Sequence, residues 1–435
     1  MQSILNRYSS TFASWRRSLL LGLALLTLAT PAGLSANSST LATEATQSQS
    51  AFTPEQIVVK LYLASDLTGV VRTHGLETTP LDQFGSRPIY RLRIRDGVDP
   101  LEKARQLEAD DRVEYAEPNF IIHPPERVSQ YSWAKVGSAS RVTTQWAPDA
   151  INLSEAHAAG PNTTGAGITV AVLDTGIDTT HPTLRNRIIP GYDFVDMDAD
   201  ASEEGAYDVN AAYGHGTHVA GLVALVAPDA RIMPVRVLDP NGRGNIWVIA
   251  EALRYAVDPD GDEETPDGVE VINLSLSTPR HTDLLADVIE DVICQVESDD
   301  DCLSIAPEGT VVIAAAGNSG SIKKEYPAAE DEPGLLAVAA TNSSDRLATF
   351  STRGAWVDVA APGAGIISTM PEGRYASWNG TSMSAGLVSG LAAIVRSAHP
   401  DWKWDNVTNQ IMATSTAIPG SVPRQIDAYV AVTDT

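Results

Sequence analysis

The pattern of hydrophobic and polar positions divides the chain into three parts. An apolar run at 19–28 follows Arg7, Arg16 and Arg17 and precedes small residues around Ala32 and Ala36. This is the order of a cleavable export signal over 1–36, and the run is too short to span a bilayer comfortably. Arg16-Arg17-Ser18-Leu19-Leu20 leaves the twin-arginine route open beside the general one. Residues 37–53, rich in Ser, Thr, Ala and Gln, lack the apolar content of a core and read as a disordered spacer. From 54 the pattern becomes regular. Ile57-Val58-Val59-Lys60-Leu61 is strand-like, and 89–94 alternates apolar and basic residues as a half-exposed strand does. Asp99-Pro100 opens a helix over 101–108 with Pro in its first turn, and Val113-Glu114-Tyr115-Ala116 is another strand. Residues 54–122 are thus predicted to form a compact α+β unit with an antiparallel sheet. A linker over 123–144 follows, opening with Pro124-Pro125.

From 145 onward strands and helices alternate. Residues 168–173 form an apolar run interrupted only by Thr169, as in a strand buried on both faces of a parallel sheet. Further strands fit at 231–238, 269–275, 310–316, 335–340 and 357–360. Helices fit at 216–226, 246–257, 283–295, 383–398 and 405–412. The predicted fold class is α/β: a three-layer domain over 145–435 with a mainly parallel sheet, preceded by the small α+β unit.

Charge changes the picture of partners. Across 435 residues, 30 Lys and Arg face 55 Asp and Glu, for a formal net charge of −25. That excess argues against nucleic acid and anionic membranes as partners. With the export signal it predicts a secreted protein, extracellular or periplasmic. The two cysteines, Cys294 and Cys302, are expected to close a short disulfide loop in an exported chain, with two free thiols as the alternative.

Chemistry-bearing residues fall at element boundaries, where open parallel sheets place their sites. Asp174 directly follows the strand Val170-Ala171-Val172-Leu173, and could also cap a turn with Thr175-Gly176. Gly214-His215-Gly216-Thr217-His218 opens a helix with two histidines three apart. Such a pair can bind metal, but no third ligand is evident, and glycines flanking His215 fit close approach to backbone or substrate. Asn318 ends a buried strand in a Gly-rich turn, either as a turn residue or as an amide donor. Ser382 begins an apolar helix, either as a cap or as a nucleophile. Together the four make a system. A serine needs a base, the base needs an acid to hold its tautomer, and the oxyanion needs a donor.

Four segments carry a resemblance: Val172-Leu173-Asp174-Thr175-Gly176-Ile177-Asp178, His215-Gly216-Thr217-His218-Val219-Ala220-Gly221, Ala315-Ala316-Gly317-Asn318 and Asn379-Gly380-Thr381-Ser382-Met383. In this order they resemble the subtilisin-like serine proteases (the subtilase family, peptidase S8). The resemblance implies a subtilisin-like domain and serine endopeptidase activity through an acyl-enzyme, with no cofactor required for the chemistry. It assigns Ser382 as nucleophile, His215 as base and then acid, Asp174 as its orienting partner, and Asn318 with the Ser382 N–H as oxyanion hole. It also implies that the unit before 122 is a ferredoxin-like pro-domain, which assists folding and inhibits in cis by laying its tail in the cleft. The molecule would then be a zymogen cut somewhere between 120 and 145, with protein or peptide substrates. Extended substrate would pair with Gly242-Arg243-Gly244 and Ser275-Leu276-Ser277. Ala314, Ala315 and Gly317 would line part of the primary pocket, where small residues suit apolar or aromatic side chains. The alternative is a non-catalytic protein that keeps the fold for binding or scaffolding.

The chain departs from the family pattern at several positions. Gly386 stands where a proline is usual, and Ser277 where a glycine is usual. Gly221 to Val226 runs straight into Ala227-Pro228 without the calcium-binding loop of many relatives, and Thr183 replaces an Asp. Structural calcium is therefore expected, if anywhere, at Asp258, Asp260 and Asp262, which alternate as in hard-cation loops, or in the acidic run of Asp196, Asp198, Asp200, Glu203 and Glu204. Either group also reads as a solvated acidic loop.

Overall fold

The computed structural model describes residues 51–128, 135–136, 138–262, 265, 267–293, 308–421 and 423–434. The expected signal at 1–36, most of the spacer and both Cys294 and Cys302 lie outside them.

The N-terminal unit is a βαββαβ array. Strands Phe52–Leu61, Asp82–Gln83, Ile89–Arg93 and Val113–Ile122 form an antiparallel sheet with the edge order second, third, first, fourth. That is the ferredoxin-like arrangement. Helix Pro100–Glu108 begins as the sequence implies: Pro100 opens it, and the Asp99 side chain accepts the Leu101 N–H at 3.0 Å. Alternation along the strands gives the sheet two apolar faces. One, with Ile57, Val59, Tyr90 and Leu92, packs beneath the unit's own helices through Val70, Val71, Ala104 and Leu107. The other, with Val58, Phe84, Ile89, Tyr115 and Phe120, packs on helices Ile246–Val257 and Asp283–Ile293 of the following domain.

That domain is built on a large sheet. In spatial order its strands are Arg424–Gln425, Val359–Pro362, Leu335–Asn342, Val311–Ala315, Val271–Leu274, Thr169–Asp174, Arg231–Arg236 and Tyr192–Asp193, all parallel. The strands are buried on both faces, which explains their continuous apolar runs. Thr169–Asp174 is the pivot: the chain continues to one neighbour, Arg231–Arg236, and then crosses to the other, Val271–Leu274. A crevice opens at the carboxyl end of such a switch point, and Asp174 stands there.

Two helices meet behind the crevice. His215–Val226 and Thr381–Ala398 are almost wholly buried and pack on each other. Helices with small or apolar residues on nearly every face belong in a core rather than at a surface. Gly386 lies at the contact. A Cβ there would stand 3.2 Å from Leu222 Cβ and 3.2 Å from the Val219 carbonyl oxygen. The residue in place of the usual proline thus lets the two helices approach. The hairpin Ile366–Met370 and Arg374–Trp378, absent from the sequence-based assignment, covers the His215 helix and brings Trp378 to it.

Candidate active site

The site assembles from the ends of these elements. Asp174, the last residue of the pivot strand, is fully buried, and its Oδ1 accepts the Thr175 N–H at 2.7 Å. His215, first in its helix, places Nδ1 at 2.8 and 2.9 Å from the two Asp174 oxygens. Glycine at 216 is needed for this approach, because a Cβ there would lie 2.2 Å from the Gly176 carbonyl oxygen. The His215 ring meets Trp378 edge-on at 5.5 Å. The neighbouring His218 is buried, stacks edge-on with the same Trp378 and bonds the Ala376 carbonyl at 3.1 Å. Burial holds its pKa down to about 3. It supports the hairpin, and no acidic group completes a metal site with it among the described residues.

Across the crevice, Asn318 follows strand Val311–Ala315 in the turn that Gly317 opens. Its Oδ1 accepts both the N–H and the hydroxyl of Thr381 at 3.0 Å, which turns the amide nitrogen toward Ser382. Ser382 is the second residue of its helix, so its N–H has no partner within the helix and points outward. The four residues singled out in the sequence therefore share one crevice, each placed by the end of a core element.

A fifth residue, unforeseen in the sequence, completes the arrangement. Pro125–Val128 forms a 3₁₀ turn after the last strand of the N-terminal unit, and the Glu126 side chain, 3 % exposed, reaches into the crevice. Its Oε1 accepts Asn318 Nδ2 at 3.1 Å and the Ser382 N–H at 3.3 Å. Its Oε2 accepts the Ser382 hydroxyl at 2.8 Å and lies 3.1 Å from His215 Nε2. One carboxylate thus takes up the Asn318 amide and the Ser382 N–H with one oxygen and stands between serine and histidine with the other. Burial opposes charge on both partners, but their mutual attraction and hydrogen bonds prevail. Glu126 is held below the usual carboxylate range, and Asp174 and Glu126 together lift His215 to about 10.

The chain leading to Glu126 lies in the expected peptide groove. Ile121 pairs with Asn245 and Ile122 with Gly244, while His123 exchanges backbone hydrogen bonds with Ser277 at 3.1 and 2.7 Å. His123 Nδ1 also donates to the Gly242 carbonyl at 2.7 Å. Carried on by two residues, the antiparallel register of His123–Ser277 would set Pro125 opposite Ser275, where the 3₁₀ turn begins instead. Proline has no N–H to give the Ser275 carbonyl, so pairing stops and the chain turns away. That carbonyl instead lies 3.4 Å from the Ser382 hydroxyl. Of the other groove residues, Leu276, Ala314 and Ala315 are fully buried in the core, so they shape the groove through their backbone. The Ser277 hydroxyl donates to Glu325 at 2.8 Å instead of projecting into the groove.

The acidic candidates separate. Carboxylate oxygens of Asp258, Asp260 and Asp267 lie within 4.8 Å of one another, so the cluster recruits Asp267 in place of the expected Asp262. Asp262 instead gives its backbone N–H to Asp260. In the other run, Asp196 and Glu204 join Asp193 around the buried Arg236 guanidinium, and Glu203 turns inward to Thr217. Asp193, Asp196 and Glu204 thus neutralise a buried cation.

Residues 165–428 match the Peptidase_S8 family model, described as the subtilase family, and residues 38–119 match that of the fervidolysin N-terminal prodomain. The thermophilic serine proteinase of Bacillus sp. (strain AK1) is 38% identical over 305 residues, covering 67% of this chain and 65% of its own. Subtilisin E of Bacillus subtilis (strain 168) is 33% identical over 334 residues, covering 74% and 75%. The crystal structure of fervidolysin from Fervidobacterium pennivorans, a keratinolytic enzyme related to subtilisin, shares the fold with a TM-score of 0.67 at 23% identity, over 89% of this chain and 62% of that one. The chain thus spans just under two thirds of the first and the last of these proteins. By the match of its sequence over most of its length, the chain belongs to the subtilase family and carries an N-terminal prodomain.

Proposed function

We propose that the protein is a secreted serine endopeptidase made as a zymogen, with Asp174, His215 and Ser382 as its catalytic triad. The observation that carries this reading is the convergence of Ser382, His215 and Asn318 on one carboxylate, with Asp174 behind the histidine. With the pro-segment gone, the same groups would face a peptide carbonyl. Ser382 Oγ attacks the carbonyl carbon while His215 Nε2 takes its proton, and Asp174 holds Nδ1–H and the resulting imidazolium. The new oxyanion receives Asn318 Nδ2–H and the Ser382 N–H, aided by the helix N-terminus. His215 returns its proton to the leaving amine, and an acyl ester remains on Ser382. Water, deprotonated by His215, then attacks the ester; His215 returns that proton to Ser382 Oγ as the ester bond breaks and the new carboxyl group leaves.

The pro-domain acts as inhibitor in cis. Its tail fills the groove, its Pro125 breaks the pairing beside the serine, and Glu126 saturates the donors that a substrate needs. Export is read from the N-terminal signal pattern, and among the described residues no helix is long and apolar enough to cross a membrane. Cleavage in the 123–144 linker frees the groove, and self-processing predicts that Ser382→Ala protein accumulates as full precursor. Electrophoresis and mass spectrometry of purified wild type and variant check this. Normal maturation of the pure variant would place the processing activity elsewhere, and a mature wild type inert toward peptides would favour a binding or scaffold role.

A further inference from the structure

A half-buried carboxylate that the triad does not use lies beside the reaction centre. Glu325 is reached through the turn that follows Asn318, and its side chain returns to Ser277 and Gly317, the two segments that the family resemblance places along the primary pocket. On one wall its Oε2 accepts the Ser277 hydroxyl at 2.8 Å, and Ser277 is the residue that pairs with the chain in the groove. On the other wall it covers Gly317, which directly precedes Asn318. A Cβ on Gly317 would lie 2.4 Å from Glu325 Cδ, so only glycine leaves the carboxylate this place. Its second oxygen receives the Thr352 hydroxyl at 3.4 Å. Among the described residues no Lys, Arg or His forms an ion pair with it, and its partners are hydroxyls. Burial pushes its pKa up, opposed by the Ser277, Ser319 and Thr352 hydroxyls, and the charge of Glu126 adds to the rise. That last effect places Glu325 within electrostatic reach of the group now filling the catalytic crevice.

A half-buried carboxylate without a cation is electrostatically incomplete. A substrate side chain entering between Ser275–Ser277 and Gly317 would meet it. A long cationic side chain would pair with it, whereas a leucine or phenylalanine would displace its remaining water and strand its charge. We propose that Glu325 sets the specificity of this peptidase, selecting lysine or arginine as the residue preceding the scissile bond. This rests on the peptidase reading of the same site, and it replaces the apolar preference expected from Ala314, Ala315 and Gly317. Ser277 fits the role, because its hydroxyl gives the Glu325 carboxylate its shortest hydrogen bond, which a glycine would remove.

The test uses the matured enzyme and four fluorogenic peptides that differ only in the residue before the cut: arginine, lysine, leucine or phenylalanine. The expected kcat/KM for arginine and lysine exceeds that for leucine and phenylalanine by about 10–100-fold, the worth of a charge-assisted hydrogen bond in a desolvated site. In Glu325→Gln this ratio collapses toward one, and Glu325→Asp restores part of it. A wild-type preference for leucine or phenylalanine overturns the assignment on its own and leaves the peptidase reading standing. A glutamine variant that keeps its basic preference also overturns it. Inactivity toward all four peptides, with Ser382 refusing a sulfonyl fluoride, overturns both readings together.

Discussion

A carboxylate oxygen in an oxyanion hole already carries, in the ground state, the charge that a substrate carbonyl gains only on attack. Glu126 therefore takes up Asn318 Nδ2 and the Ser382 N–H without offering a bond to cleave. Glu126→Gln keeps its shape but loses that charge and the attraction to His215. Purified precursor of this variant should shed its pro-segment about 10-fold faster, the scale of one charge-assisted hydrogen bond; an unchanged rate on a time-course gel would contradict the contact. The same pair sets a pH window. His215, raised to about 10, contributes its attraction fully below the ordinary imidazole pKa of ~6.5 and loses it as pH rises through about 10. Glu126, depressed, contributes above the ordinary carboxylate range and loses its share as pH falls through its lowered pKa. Maturation rate measured against pH should thus rise from neutral toward alkaline, and a rate that falls over that interval would refute the pairing. The convergence of Asp174, His215, Asn318 and Ser382 was legible in the sequence because each stands at the end of a strongly patterned strand or helix. Glu126 and Glu325 were not, since a loop carboxylate's destination depends on tertiary docking that no local period encodes.

At the scale of elements, the docking of the pro-domain rests on helix ends and the opposed apolar faces. Glu117 accepts the N–H groups of Asp283 and Leu284 at 3.2 and 3.0 Å, so a pro-domain residue caps a helix of the catalytic domain. Removing the side chain in Glu117→Ala should destabilise the precursor by about 1–2 kcal/mol. Thermal unfolding of a Ser382→Ala precursor, which cannot mature by its own serine, measures this without loss of the segment; an unshifted midpoint would mean the cap carries no weight. The helix pair behind the site gives a second case. A leucine at Gly386 would drive side-chain atoms into Leu222 and Val219, so Gly386→Leu should cost about 1–3 kcal/mol and lower the melting temperature of the same precursor. Equal stability would show that the helices can part. Gly386 was visible beforehand only as the absence of a proline; its reason lies in the partner helix, which the sequence places more than 160 residues away.

For the whole molecule, the order of the strands explains why so much of the architecture could be read from the pattern. Parallel strands buried on both faces leave unbroken apolar runs, and the βα alternation places their carboxyl ends on one rim. The short hairpin at 366–378 escaped because two five-residue strands over a helix carry a weak period. The two domains are likewise joined by features that only assembly creates: the pro-domain's last strand pairs with Gly244–Asn245, and its apolar face closes on Trp247 and Leu284. On the zymogen reading proposed above, the molecule is held shut by its own N-terminal part, and activity and loss of that part should appear together. The most direct test follows purified wild-type precursor in time with a serine-directed fluorophosphonate, locating the label by mass spectrometry and weighing the intact chain. Label on Ser382 should rise in step with loss of the segment that carries Glu126. A folded, mature chain whose Ser382 stays unlabelled, or full labelling of the intact precursor, would contradict the account.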